Sequence, residues 1–399
     1  MTSVDSPATP AGDTRPEWKG WLAVLAVALG IFSLMTSELL PVGLLTPVGS
    51  ELGVSNGTAG LMVTVPGLVA AVSAPLITVA AGRLDRRLVL CVLIGLVGAA
   101  NLASAFAPNF ATVLAARFLV GVSVGGFWAI AGSLATRLVP EKHVPRAMAV
   151  IFGGVSTASV IGVPAGTLAG ELSGWRTAFA AVGVLALVAL VCKLWLVPPL
   201  PATQTIRLPE LPRLFRDNAA VRIGVIATFL LITGHFVAYT FVRPVLQDIS
   251  GVEPGLISSL LLGYGVAGIV GNTVAGSWAG RDVRRTLLII SGTLTAAMAL
   301  IPLLGTGPVG GVALLLVWGL AYGGVSVSLQ TWMMKAAPEA TEAATSLFVA
   351  AFNLSIALGA LIGGLAVDAF ATAGVLWIGG ALVLLTALAL WSARRTRPA

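Results

Sequence analysis

The sequence predicts an all-α polytopic membrane protein, and three observations carry that prediction. Only 10% of the 399 residues are charged, 57% are hydrophobic, and the mean hydropathy is +0.98. A soluble domain carries about 25% charged residues, so this chain has too few polar side chains to cover a water-facing surface. The apolar residues fall in blocks of about 20, the length that crosses a ~30 Å hydrocarbon core at ~1.5 Å per residue. The blocks are continuous, whereas a membrane barrel needs alternation over about ten residues. The 47 glycines, which weaken soluble helices, suit membrane helices that pack with close backbones.

Twelve spans follow in order. Residues 1–18 are polar, contain Pro7, Pro10 and Pro16, and predict a disordered tail. No small-residue cleavage site follows the first apolar block, so that block reads as span 1 and not as a signal peptide. Spans 1 and 2 are expected over about 20–46 and 57–80, and Arg83, Arg86 and Arg87 follow them. Spans 3 and 4, about 88–106 and 111–136, lead to Arg137, Lys142 and Arg146. Spans 5 and 6, about 146–169 and 176–197, precede the longest polar connection, 198–220. Its five prolines and run of charges from Arg207 to Asp217 read as a linker between halves. Spans 7 and 8 (about 221–246 and 255–279) lead to Arg281, Arg284 and Arg285, and spans 9 and 10 (286–305 and 310–334) lead to Lys335. Spans 11 and 12 (342–367 and 373–392) precede Arg394, Arg395 and Arg397 in a short tail, 394–399.

The net charge of +7 therefore reports topology. With the N-terminus inside, 20 of the 23 basic residues fall in cytoplasmic segments, Lys193 among them, and only Arg117, Arg176 and Arg243 do not. Lys and Arg are retained on the cytoplasmic side during insertion. Both termini are expected there, and no nucleic-acid partner is implied. Cys91 and Cys192 suggest no disulfide framework.

The two halves, 19–197 and 221–393, repeat one another. Ala81-Gly82-Arg83 with Arg86-Arg87 recurs at +198 as Ala279-Gly280-Arg281 with Arg284-Arg285. Gly121, Gly125 and Gly126 recur as Gly319, Gly323 and Gly324, and Pro140-Glu141 recurs as Pro338-Glu339. Gly162, Gly166 and acidic Glu171 recur at +197 as Gly359, Gly363 and acidic Asp368. Parallel six-helix repeats place a substrate site near the bilayer midplane and alternate its access by rocking. A channel or membrane enzyme has no comparable need for that symmetry.

On these residues the chain resembles the major facilitator superfamily over nearly its whole length. Ala81-Gly82-Arg83-Leu84-Asp85-Arg86-Arg87 is similar to the family's loop motif between helices 2 and 3, although the usual downstream Gly-Arg-Arg is missing. Arg117 matches the helix 4 motif, and Gly162 to Gly170, with Pro164, resembles the helix 5 motif of the drug/proton antiporter branch. Ser37-Glu38 to Pro47, Gly125 to Ala129, Arg137 to Pro140 and Phe241-Val242-Arg243-Pro244 resemble nucleoside- and sugar-efflux members. The resemblance implies the major facilitator fold and proton-coupled export of small polar organic molecules, with purine nucleosides as one cargo. A multidrug or antibiotic exporter, for example of chloramphenicol, and a sugar exporter are the alternatives. Import is disfavoured by the Gly162–Gly170 motif.

Glu38 is the only carboxylate inside an expected span. A charge at depth costs about 2.5–3.5 kcal/mol and generally faces a cavity or partner. Burial favours the neutral carboxyl, the property a proton carrier needs; the plainer alternative is a hydrated acid near the outer end of span 1. Arg117 is its expected partner, since a guanidinium keeps its proton, or else a structural arginine capping carbonyls. His235 is the one histidine within a span, expected to couple protons, bind substrate or bridge helices. Pro41, Pro164, Gly162 and Gly166 are expected to shape conformational change, with Asp85, Arg86 and Arg87 at the gate. Trp128, Tyr239, Arg243, Gln330 and Asn353 are the candidate substrate contacts, as stacking faces and convergent polar groups; packing is the alternative for each aromatic, and outward snorkelling for Arg243. No phosphate-cradling loop or metal-ligand cluster is present, so no enzyme activity, metal or cofactor is expected beyond the coupling proton. Function as a monomer in the inner membrane completes the expectation.

Overall fold

The computed structural model describes residues 17–80, 84–131, 134–140, 143–201 and 210–392. Apolar helices dominate. The first half contains α1 (Glu17–Leu52), α2 (Asn56–Ala74), α3 (Arg86–Ala105), α4 (Phe110–Trp128), α5 (Arg146–Ser173) and α6 (Trp175–Leu196). In the second half, α7 is Ala219–Tyr239, α10 is Pro308–Ala336, α11 is Ala343–Phe370 and α12 is Ala373–Trp391. Between them runs a 48-residue helical segment, Ile257–Leu304, whose backbone leaves helical geometry at Asp282 (φ −146°, ψ 90°). We divide it there into α8 (257–281) and α9 (283–304). The expected twelve spans are therefore present among the described residues, each displaced by a few residues at most from its expected start.

Local chemistry sets the boundaries. Asp85 caps α3 by accepting from the Arg87 amide at 2.7 Å, satisfying one of the donors a helix start leaves free. Asn218 caps α7 through the Val221 amide, and its Nδ2 donates to the Ala336 carbonyl at the end of α10. In α5, residues Ala158–Gly162 form a π-turn immediately before Pro164. Proline lacks the N–H that an α-helical ladder requires, and π-bulges are a common accommodation at functional sites. Pro41 and Pro47 lie inside α1, which stays helical throughout.

Glycine faces bring α5 onto α1 and α11 onto α7. A Cβ on Gly162, Gly166 or Gly170 would collide with Thr36, Leu40 or Leu44, successive turns of α1. In the second half, Gly359 and Gly363 abut the carbonyls of Thr233 and Val237 on α7. The offset of 197 that relates these glycines also relates Thr36 to Thr233 and, two residues on, Glu38 to His235. The acid buried in α1 and the histidine buried in α7 therefore occupy equivalent positions in the two halves.

Three expectations need adjustment. Glu17 and Trp18 begin α1 and do not belong to the tail, whereas residues 1–16 and 393–399 lie outside the described residues. So do Ala81, Gly82, Arg83, Lys142 and residues 202–209; within the linker, Glu210–Asp217 is helical. Lys193, expected in a cytoplasmic segment, is buried in α6, its ammonium against the bare backbone of Gly30 on α1. Its place three residues from the end of an apolar run hid that orientation.

Candidate functional site

In the first half the buried polar groups converge on α1. The Arg117 side chain, fully buried on α4, donates to the Ser37 carbonyl at 2.8 Å and to Asn101 Oδ1 at 3.1 Å. Asn101, on α3, returns a hydrogen bond to Ser37 Oγ at 2.7 Å. The Phe179 ring of α6 covers the guanidinium at 5.0 Å, within cation–π range. Glu38, adjacent to Ser37, is buried and close enough to interact electrostatically with Arg117. Among the described residues it accepts no hydrogen bond and forms no ion pair within 4.0 Å. Arg117 thus holds the α1 backbone next to the acid, leaving the carboxyl itself unclamped.

In the second half an aromatic column surrounds His235. The imidazole stacks on Tyr322 with ring centres 3.4 Å apart and planes 7° from parallel, and on Tyr239 at 4.9 Å and 21°. Tyr239 stacks in turn on Tyr264, again at 4.9 Å. These are the only three tyrosines in the chain. Trp318 stands edge-on to the column and donates from Nε1 to His235 Nδ1 at 3.1 Å. An indole N–H can only donate, so Nδ1 accepts and a neutral imidazole carries its proton on Nε2.

Polar bonds tie the halves together at the end opposite the described ends of the chain. Arg243, beyond the end of α7, donates to the Gly43 carbonyl of α1 at 2.7 Å and lies 3.5 Å from Glu171 of α5. Ser258 at the start of α8 donates to Glu171 at 3.1 Å. At the equivalent place, Asp368 of α11 accepts from Ser55 at 2.7 Å and from the Gly57 amide at 3.1 Å, at the start of α2. Bare glycine surfaces continue this seal toward the midplane, where Gly67 meets Ala357 and Gly265 meets Val160. The molecule is closed at this end.

The remaining candidates make local contacts of their own. Trp128 packs edge-on against Phe127 on α4. Asn353 is buried on α11 and donates to the Val349 carbonyl one turn back. Gln330 is exposed on α10. Of the five expected substrate contacts, the ring contacts gather only Tyr239 beside His235, and Arg243 belongs to the seal between halves. Asp85 accepts from the Leu200 amide at 3.0 Å, the Arg86 amide donates to the Leu200 carbonyl at 2.8 Å, and the Arg87 guanidinium donates to the Leu194 carbonyl. Asp85 and Arg86 fasten the start of the linker to the first half, and Arg87 ties α3 to the end of α6.

This architecture has known counterparts. The Major Facilitator Superfamily profile matches residues 26–348. The chain belongs to the major facilitator superfamily. It is 36% identical to the purine ribonucleoside efflux pump NepI of Salmonella paratyphi A, over 97% of this chain and 96% of that protein. The Salmonella typhimurium NepI matches equally, with the same identity and coverage. Among solved structures, a bacterial homologue of the lysosomal transporter Spinster, inward-facing and unoccupied, superposes with a TM-score of 0.76 at 18% identity, covering 96% of this chain and 98% of that one. The nucleoside transporter NupG also superposes with a TM-score of 0.76, at 13% identity, covering 94% and 100%. These two share the superfamily fold.

Sequence reasoning missed Asn101, Glu171, Asp368, Tyr264, Trp318 and Tyr322 as possible site residues of this superfamily transporter. Two signals were available. Glu171 and Asp368 matched in the repeat, and all three tyrosines fall in the second half.

Proposed function

We propose that this transporter exports purine ribonucleosides in exchange for protons, by alternating access, from the cytoplasmic side of a bacterial inner membrane. The observation that carries this reading is the equivalence of Glu38 and His235: one buried, unclamped acid in the first half faces the role of proton carrier, and its counterpart in the second half sits in an aromatic column suited to a heterocycle. The NepI relatives, named for purine ribonucleoside efflux, supply the cargo class and direction. Both termini lie in the cytoplasm in this reading, consistent with the distribution of Lys and Arg. The chain acts as a monomer, without catalysis and with no cofactor beyond the proton.

Protons entering from outside neutralise Glu38, and substrate arriving from the cytoplasm displaces them. One elementary charge crossing roughly 150 mV yields about 3.5 kcal/mol, equivalent to about a 300-fold concentration gradient. The test is substrate-induced proton release from everted vesicles, offered inosine, a pentose and chloramphenicol in turn. Release with inosine alone supports the proposal. Release with chloramphenicol alone identifies a drug exporter, release with the pentose alone a sugar exporter, and no release with any of them removes proton antiport.

A further inference from the structure

The column around His235 has two features that packing alone does not require. His235 Nε2 and the Tyr264 hydroxyl are buried and have no hydrogen-bond partner among the described residues. A buried polar atom left unsatisfied is costly, and native structures keep few of them without a reason. Because Trp318 occupies Nδ1 as a donor, Nε2 carries a proton and requires an acceptor. The imidazole is sandwiched between Tyr322 and Tyr239, both only partly buried, whereas His235 itself is fully enclosed.

Resting on the nucleoside reading above, we infer that this column is the base-recognition site. A planar heterocycle offering an acceptor to Nε2–H lies in the same layer as the imidazole. Its faces meet Tyr322 and Tyr239 once those rings, which here cover the imidazole, slide along the layer toward it. The chemistry selects a flat ring with an in-plane acceptor on its edge, as purines have at N7 and 6-oxopurines also at O6. A sugar alone has an acceptor but no face to stack. Tyr239, Tyr322 and Trp318 become specificity-determining residues: the two tyrosines supply ring surface, and Trp318 fixes the tautomer that makes Nε2 a donor.

The test is inosine and ribose binding to the purified full chain in lipid nanodiscs, by isothermal titration calorimetry. Tyr322→Leu removes a stacking face and His235→Phe removes the donor while keeping a ring in the layer. Each is expected to weaken inosine binding roughly 5- to 150-fold, the range that base–aromatic stacking and a buried hydrogen bond are worth. Tyr322→Phe, which keeps the face, is expected to bind inosine within about twofold of wild type. Should Tyr322→Leu fail to fold, His235→Phe carries the test. Wild-type protein that binds inosine, with both variants within twofold of it, overturns the column as the site and leaves the cargo standing. Wild-type protein that binds no inosine overturns the cargo itself.

Discussion

Arg243 and Glu171 meet across the boundary between the two halves, 3.5 Å apart, and the same guanidinium donates to the Gly43 carbonyl. One arginine from α7's extension therefore holds α1 and α5 together with the second half. Asp368 makes the matching bond in the opposite sense, from α11 to the start of α2. Access at this end requires both connections to part.

Removing either acid is therefore expected to loosen the closed end. Glu171→Ala strands a nearly buried arginine, and Asp368→Ala frees Ser55 and the Gly57 amide. Each loss is expected to shift the closed-to-open balance by about 1–3 kcal/mol, read as faster labelling of Thr240→Cys by an impermeant maleimide in a Cys91→Ser, Cys192→Ser background. The two effects are expected to add if the connections act independently. Unchanged labelling in both variants would show that the glycine seal alone holds this end shut.

Glu38→Gln keeps the shape of the side chain and removes its ability to carry a proton. Inosine binding is expected to survive while transport loses its dependence on the pH gradient, measured as inosine efflux from vesicles with and without an imposed gradient. Gradient-driven transport at the wild-type rate would place the coupling group elsewhere.

Arg117→Lys tests the bracket beside that acid. Lysine offers a compact ammonium where the planar guanidinium reaches Ser37 and Asn101 together. The loss of one buried partner is expected to cost about 1–3 kcal/mol and to lower the melting temperature of the purified protein, with Asn101→Ala giving a similar decrease. Neutral behaviour in both would reduce the bracket to incidental packing.

Two glycine substitutions separate close packing from helix propensity. A Cβ at Gly323 would run into the Gly268 backbone, where α10 crosses α8, whereas Gly292 on α9 faces open space. Gly323→Ala is expected to destabilise by about 1–3 kcal/mol through overpacking. Gly292→Ala is expected to be neutral or stabilising by up to about 1 kcal/mol, because alanine is the better helix former. Equal melting temperatures would mean that α8 and α10 can move apart freely.

What was legible in the sequence is what hydropathy and a fixed offset encode along one dimension: the spans, the repeat, and lone charges such as Glu38 and Arg117. The burial of Lys193 escaped notice because its span end was indistinguishable from a loop. Asn101 escaped because an ordinary amide becomes informative only once Arg117 reaches it from another helix. Tyr264, Tyr322 and Trp318 lie on α8 and α10, and they gain meaning through the way those helices cross α7. Trp128, Gln330 and Asn353 have suitable chemistry, but residue type alone does not encode which neighbours each one packs against. Glu171 and Asp368 were visible as a matched pair, yet their role depends on how one half faces the other.

The shared position of Glu38 and His235 has a consequence for how such a molecule can arise. Both sit two residues beyond a threonine that packs on a glycine of the neighbouring helix, so the scaffold around them is the same. After an ancestral duplication, a single substitution at one copy of that place could separate two tasks without disturbing either bundle. Division of labour between the halves then rests on side chains that differ around a shared backbone, as the tyrosines and Trp318 around His235 do.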